Sequence, residues 1–303
     1  MAAGAVSERL LDQRTRTFNT NHRVSKRRPM TATGPRLLFS TAPFFRHPLR
    51  EGLRAIADAG FEAVEVMVTQ DPNTQEPHLL NRLTREFGLR IEAVHAPFLL
   101  ITRRVFGTDP VTKIHRSVHV AEEVGAPLVV VHPPYRWQVR YRRWAEHDLG
   151  AFSARTGVTV AVENMFPVRL SGERGLTFHA AQEFEDLDTY PYLVLDTSHA
   201  AVAGIDIHEA SERYRDKLQH VHLSNNAGRG WDSHLPVYEE GVLRLGEFLD
   251  GLVVGGFAGS VSIELDLRPY MRDPDTLRGV LVRNREFCET RLAARGATNG
   301  HAR

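Results

Sequence analysis

The chain has 303 residues, 42% of them hydrophobic and 25% charged, with 38 Lys and Arg against 37 Asp and Glu. That size and mix suit a soluble, cytoplasmic globular protein, built as one barrel or two smaller domains, and no apolar run approaches the ~20 residues of a membrane span. A single cysteine, Cys288, excludes an internal disulfide framework and a cysteine-based zinc site, and its surroundings (NREFCETRLAA) read as a late helix.

The charge is uneven. Residues 1–34 carry seven basic side chains (Arg9, Arg14, Arg16, Arg23, Lys26, Arg27, Arg28) against Glu8 and Asp12, so the remainder holds 31 basic and 35 acidic residues, about −4. With no apolar stretch the segment is no secretory signal. It reads as a disordered basic tail, the alternatives being a nucleic-acid or anionic-surface patch at SKRRP and a start at Met30 that would remove nearly all of it. The rest lacks the basic balance of a nucleic-acid-binding domain.

From Arg36 onward, short β-branched runs alternate with amphipathic stretches. The runs fall near 37–41, 62–67, 90–95, 127–132, 158–163, 192–196, 218–224 and 260–265, and helical stretches near 47–59, 76–87, 110–124, 138–154, 177–186, 206–216, 241–254 and 273–294. Eight such units predict an α/β fold, a single (β/α)₈ TIM barrel over 35–296 with a flexible C-terminus at 297–303. Gly60, Gly88 and Gly125 stand where the first three helices should end. The stretch from Pro167 to Thr177 reads as an irregular loop, suited to a lid or clamp. GGFAG at 255–259 precedes a strand and is no dinucleotide fingerprint.

Six of the runs end on a residue that can bind a divalent metal: His95 (IEAVH), His132 (LVVVH), Glu163 (VTVAVE), Asp196 (LVLD), His222 (LQHVH) and Glu264 (VSIE). Polar groups confined to the C-terminal ends of strands are how such a barrel builds a site above a packed interior. Side-chain alternation puts Ala93, Val130, Ala161, Val194 and Ser262 one layer below these ends, an apolar or small floor, with His220 below His222 as a hydrogen-bonded exception. DTSHAAVAG adds His199, and WDSHLP adds Asp232 and His234. The five histidines and four carboxylates, without sulfur, favour Zn²⁺, Mn²⁺ or Co²⁺ over Mg²⁺. A cation would also let Glu163, Asp196 and Glu264 stay ionised side by side.

The motifs VHAPF, VVHPP, VENM, LDTSHAAVAG, HVHLSNN, GWDSHLP and SIELD carry a resemblance. Over about 36–290 the chain is similar to the xylose isomerase-like barrel superfamily, which includes sugar isomerases and epimerases and endonuclease IV. The resemblance implies a mononuclear site at Glu163, Asp196, His222 and Glu264. The full nine-residue set resembles endonuclease IV, where it serves three zinc ions, so one to three ions are expected.

Two chemistries follow from the resemblance. In the favoured one, an isomerase or epimerase of a small sugar, sugar phosphate or polyol, Glu163 and Glu264 exchange a proton as acid and base while the ion polarises a carbonyl. The alternative is an AP endonuclease that cleaves phosphodiesters in DNA. Arg103 and Arg104, with Arg140, Arg142 and Arg143 in YRWQVRYRRW, are the candidate substrate-binding cations for either. The chain departs from endonuclease IV after His132, where it reads PPY, and in the apolar VHAPFLLI, which favours a carbohydrate over DNA. A third reading is a catalytically silent metal- or sugar-binding barrel.

Overall fold

The computed structural model describes residues 34–99, 102–167, 178–179 and 185–293. The expectations for the N-terminal tail and the C-terminus lie outside these residues, as do most of the helical stretch near 177–186 and the loop before it.

Eight parallel strands close into a barrel in chain order: β1 (Arg36–Ser40), β2 (Ala63–Met67), β3 (Arg90–His95), β4 (Leu128–Val131), β5 (Thr159–Glu163), β6 (Leu193–Asp196), β7 (Leu218–Leu223) and β8 (Ser260–Ile263), with β8 paired to β1. Every strand lies within two residues of its predicted run. The described helices are α1 (Leu49–Asp58), α2 (Pro77–Phe87), α3 (Pro110–Val124), α4 (Val139–His147), α5 (Leu149–Thr156), α6 (Thr197–Ala203), α7 (Ile207–Arg213), α8 (Leu245–Val254) and α9 (Pro274–Ala293). None is long and apolar enough to cross a membrane. The fold is a TIM barrel.

Alternation along the strands divides the core in two. Val64, Val66, Val129, Val131, Val160, Val162, Val221 and Ile263 face the helices, where they pack with residues such as Leu53, Ile114 and Leu281. A second, smaller cluster fills the barrel: Leu38, Ala63, Ala93, Leu128, Val130, Ala161 and Val194. Each Val or Leu removed from water in this way contributes roughly 1.5–3 kcal/mol. The inner cluster contains the four apolar floor residues expected from the sequence.

Local signals set the boundaries. Gly88 (φ 69°) and Gly125 (φ 77°) end α2 and α3 in the left-handed conformation that other residues resist. Asp109 caps α3 by accepting the Thr112 amide. Two helices differ from expectation. The stretch predicted at 138–154 is two helices, α4 and α5, meeting at Asp148. The turn after β6 is itself helical, because the Asp196 carboxylate accepts the His199 amide and starts α6. Strands β2 and β3 also contain a bulge. Val64 pairs with Ile91 but Glu65 with Ala93, so Glu92 is extra on β3.

Candidate metal centre

The C-terminal strand ends bring the predicted residues together. Glu163, at the end of β5, lies at the centre. Its Oε1 is 2.9 Å from His222 Nδ1 and 3.5 Å from His199 Nδ1, and its Oε2 is 3.4 Å from His132 Nε2 and 3.5 Å from His95 Nε2. His222 Nδ1 also faces Asp196 Oδ2 at 3.7 Å and Glu264 Oε2 at 3.6 Å. Beside this group, Asp232 Oδ2 is 2.7 Å from His234 Nε2 and 3.3 Å from His199 Nε2. All nine residues therefore stand in one cluster, most of them buried.

Hydrogen bonding fixes which ring nitrogens carry protons. A backbone carbonyl can only accept, so His95 Nδ1–H donates to the Ala96 carbonyl (3.0 Å) and His199 Nδ1–H to the Asn164 carbonyl (2.9 Å). The Glu264 carbonyl lies 3.2 Å from His234 Nδ1. Neutral rings with the His95 and His199 protons so placed turn a lone pair from Nε2 toward a carboxylate, His95 toward Glu163 and His199 toward Asp232. Lone pair against anion is repulsive. Only a positive charge between them, a metal ion or a second ring proton, makes the arrangement favourable.

The carboxylates agree. Glu163 Oε2 and Glu264 Oε2 are buried without a hydrogen-bond partner, a costly state for a charged oxygen unless a cation completes it. Burial alone would lift the Glu163 carboxyl, but the His222, His95 and His199 imidazoles outweigh it and hold it well below the usual carboxylate range. Glu264 moves the other way, lifted by burial against the pull of His222 and His234. Burial opposes a charged His234, yet Asp232 beside it pushes that imidazole up to about 10. Donor atoms of His95, Glu163 and His222 lie within 4.8 Å of one another, as do those of Asp196, His199 and His234, so each trio could hold one ion between its members. The donor set fits a divalent ion.

Supporting residues escaped the sequence reading. Asn164 clasps the end of β6, its amide donating to the Asp196 carbonyl and its oxygen accepting the Asp196 amide. Asn226 donates to Ser198 Oγ, which donates to Asp232 Oδ1 (2.6 Å). VENM and HVHLSNN contain both asparagines beside strand ends, which is the signal available in the chain. His234 has φ 41°, strain of the kind that persists where neighbours hold a residue for a purpose. Most unexpected is Glu65. It sits in mid-β2, fully buried, and bonds to His220 and His222 from below.

A cavity of about 350 Å³ opens above the cluster, lined by His95, His132, Glu163, His199, Asp232, His234 and Glu264 with Met67, Met165, Phe166 and Leu99. The five arginines expected to bind substrate are not among its lining. Arg103, Arg104, Arg140, Arg142 and Arg143 are all exposed, and Arg140 and Arg143 line a separate cavity beside Trp137 and Trp144. Arg268, which the sequence did not single out, lines the cavity over the cluster, paired with Asp266.

Known proteins frame this geometry. Uncharacterised proteins of Mycobacterium tuberculosis and Mycobacterium bovis are each 35% identical over 266 residues, spanning 81% of this chain and 94% of theirs. One from Mycobacterium leprae is 32% identical over 283 residues, 88% of this chain and 99% of its own. Among solved structures, a D-tagatose 3-epimerase-like protein superposes with a TM-score of 0.63 at 22% identity, covering 84% of this chain and 98% of that one. The 3-keto-D-glucoside 4-epimerase of E. coli gives 0.60 at 19% (83% and 99%), and an AP endonuclease, family 2, of Brucella melitensis 0.58 at 18% (77% and 94%). At such identities these likenesses concern the fold. A family model described as a xylose isomerase-like TIM barrel matches residues 53–281, and the chain belongs to that family.

Proposed function

We propose that this protein is a divalent-metal-dependent isomerase or epimerase of a small sugar, sugar phosphate or polyol. The observation that carries the reading is the pair of glutamates at the ends of β5 and β8. Glu163 and Glu264 approach the same His222 nitrogen from two strands, each with a buried oxygen lacking a hydrogen-bond partner, beneath a small cavity. Glu163, Asp196, His222 and Glu264 would hold the ion, with His95, His132, His199, Asp232 and His234 around them. When bound, the ion supplies Lewis acidity toward neighbouring substrate oxygens.

The chain's own groups do the rest. Glu264, its side chain 21% exposed and its proton affinity raised by burial, is the glutamate suited to take a proton from a carbon beside a carbonyl and return it. Glu163, held ionised by its imidazoles, keeps negative charge at the cluster's centre. Phe166, Met165 and Leu99 exclude water from the cavity wall.

A second reading, an AP endonuclease acting on DNA, draws on one feature: Asp196, His199 and His234 form a further possible ion site beside the first. The cavity wall speaks against it, because its apolar side chains and the ion-paired Arg268 lack the basic footprint of a phosphate-backbone groove. The test is solvent deuterium exchange with a panel of ketoses, aldoses and inososes in the presence of Mn²⁺ or Co²⁺. Incorporation beside the substrate carbonyl is expected, with Glu264→Gln losing exchange while still binding sugar. Metal-dependent nicking of an abasic-site duplex without any exchange would replace the first reading by the second.

A further inference from the structure

Beneath the metal cluster lies a polar set that neither chemistry uses. Glu65 on β2 is fully buried between two histidines of β7. Its Oε2 is 2.8 Å from His220 Nε2, and His222 Nε2 lies 3.0 and 3.1 Å from its two oxygens. His220 Nδ1 in turn is 2.6 Å from Ser260 Oγ. Ring nitrogens of a histidine point apart, so His222 spans two layers: Nε2 down to Glu65, Nδ1 up to Glu163, Asp196 and Glu264.

We propose that Glu65 is a positioning residue that holds His222 as the Nε2–H tautomer and so presents the Nδ1 lone pair to the metal cluster. The proposal rests on the metal reading above. Its argument is a count of protons. An ionised carboxylate only accepts, so both facing nitrogens donate to it, His222 Nε2–H and His220 Nε2–H. His220 Nδ1 is then a lone pair, which the Ser260 hydroxyl satisfies. One carboxylate, two neutral imidazoles and one hydroxyl leave no donor or acceptor in this set unmatched. The other tautomer of His222 would set its Nε2 lone pair against the carboxylate and its Nδ1 proton where a ligand atom is needed.

The same count argues against a separate ion among Glu65, His220 and His222, although their donor atoms are close enough for one. Contacts of 2.8–3.1 Å are hydrogen-bond lengths, and all three residues have 1% exposure or less. A carboxylate behind a ligating histidine fixes ring orientation and raises its basicity, and loss of such a partner costs about 10–100-fold in metal affinity.

The variants rank by what they keep. Glu65→Gln retains an oxygen that can accept from His222, while its amide can donate to His220 once that ring shifts its proton toward Ser260. Glu65→Met keeps the volume and no acceptor. Calorimetric titration of metal-free protein with Co²⁺ is expected to give wild type tightest, Glu65→Gln next, and Glu65→Met weaker than wild type by about 10–100-fold. Folding of each variant is checked by circular dichroism. A folded Glu65→Met that binds Co²⁺ as wild type does would overturn the proposal and leave the metal reading standing. Wild type that binds no Co²⁺ would remove both. Should Glu65→Met not fold, ¹⁵N imidazole spectra of wild type loaded with Zn²⁺ decide, His222→Asn identifying the signal. A proton on His222 Nε2 is expected, and a proton on Nδ1 overturns the assignment.

Discussion

The rim of this barrel and the layer beneath it are made of the same strands but obey different rules. At the rim, Glu163 and Glu264 each keep a buried oxygen without a hydrogen-bond partner, and imidazole Nε2 atoms face carboxylates beyond hydrogen-bond contact. One layer down, Leu38, Ala93, Val130, Ala161 and Val194 close on one another, and the Glu65, His220 and Ser260 groups satisfy each other. The Ser262 hydroxyl is that layer's exception, buried without a partner. The difference teaches that polarity alone does not mark a reactive site in a buried sheet. Unfinished bonding does, since an evolved interior otherwise completes its hydrogen bonds.

If the division is real, substitutions at the two levels should separate cleanly. Glu264→Gln removes the rim's proton-transfer group and is expected to lower turnover by about 10²–10⁴-fold while the metal-free protein unfolds near the wild-type denaturant midpoint. A large fall in that midpoint would erase the distinction. Leu38→Ala in the floor should do the converse. It should cost about 2–5 kcal/mol in equilibrium unfolding and leave Co²⁺ stoichiometry unchanged, so loss of metal from the folded variant would mean that floor and rim are one unit.

A smaller effect is expected where a loop is tied to the scaffold. Lys113 on α3 is buried, and its ammonium donates to the Pro97 and Thr102 carbonyls of the loop after β3. Lys113→Met strands those carbonyls and should cost about 1–3 kcal/mol. Burial pulls this lysine down to about 8, below an unfolded value of ~10.4. Between those values the unfolded chain binds a proton that the folded one lacks, so this group makes stability rise with pH across that window. The rise should be absent from the wild-type minus Lys113→Met difference if another group is responsible. Smallest of all, Arg103→Ala and Arg140→Ala should change stability by no more than about 0.5 kcal/mol and leave sugar turnover unaltered. A marked rise in KM would bring these arginines back into the substrate site.

Strand ends were legible because each apolar run stops at its ligand residue, so position in the run and chemistry point the same way. Glu65 was not, for a physical reason. Both faces of a barrel strand are buried, as all five positions of β2 are, so alternation around Val64 and Val66 cannot say which face holds a carboxylate. Its one trace is the anomaly of a charge amid AVEVM, which must be paired if it is buried. Helix α6 was hidden by double use, Asp196 being at once a strand end and a helix cap. Arg140, Arg142 and Arg143 stand outside the cavity lining, a placement the chain could not announce because a charge on a helix declares its face only after the helix is docked.

The extra residue Glu92 has a consequence for anyone redesigning this scaffold. It lets Ile91 and Val94 both pack outward while Ala93 stays inside the barrel and His95 lines the cavity. Drawing it into the ladder to regularise the sheet, with no residue removed, would force half of β3 to rotate, turning either Ile91 into the lumen or His95 away from it. A backbone irregularity that looks like wear is thus a phase shift, and smoothing it would silence a ligand position some distance up the strand.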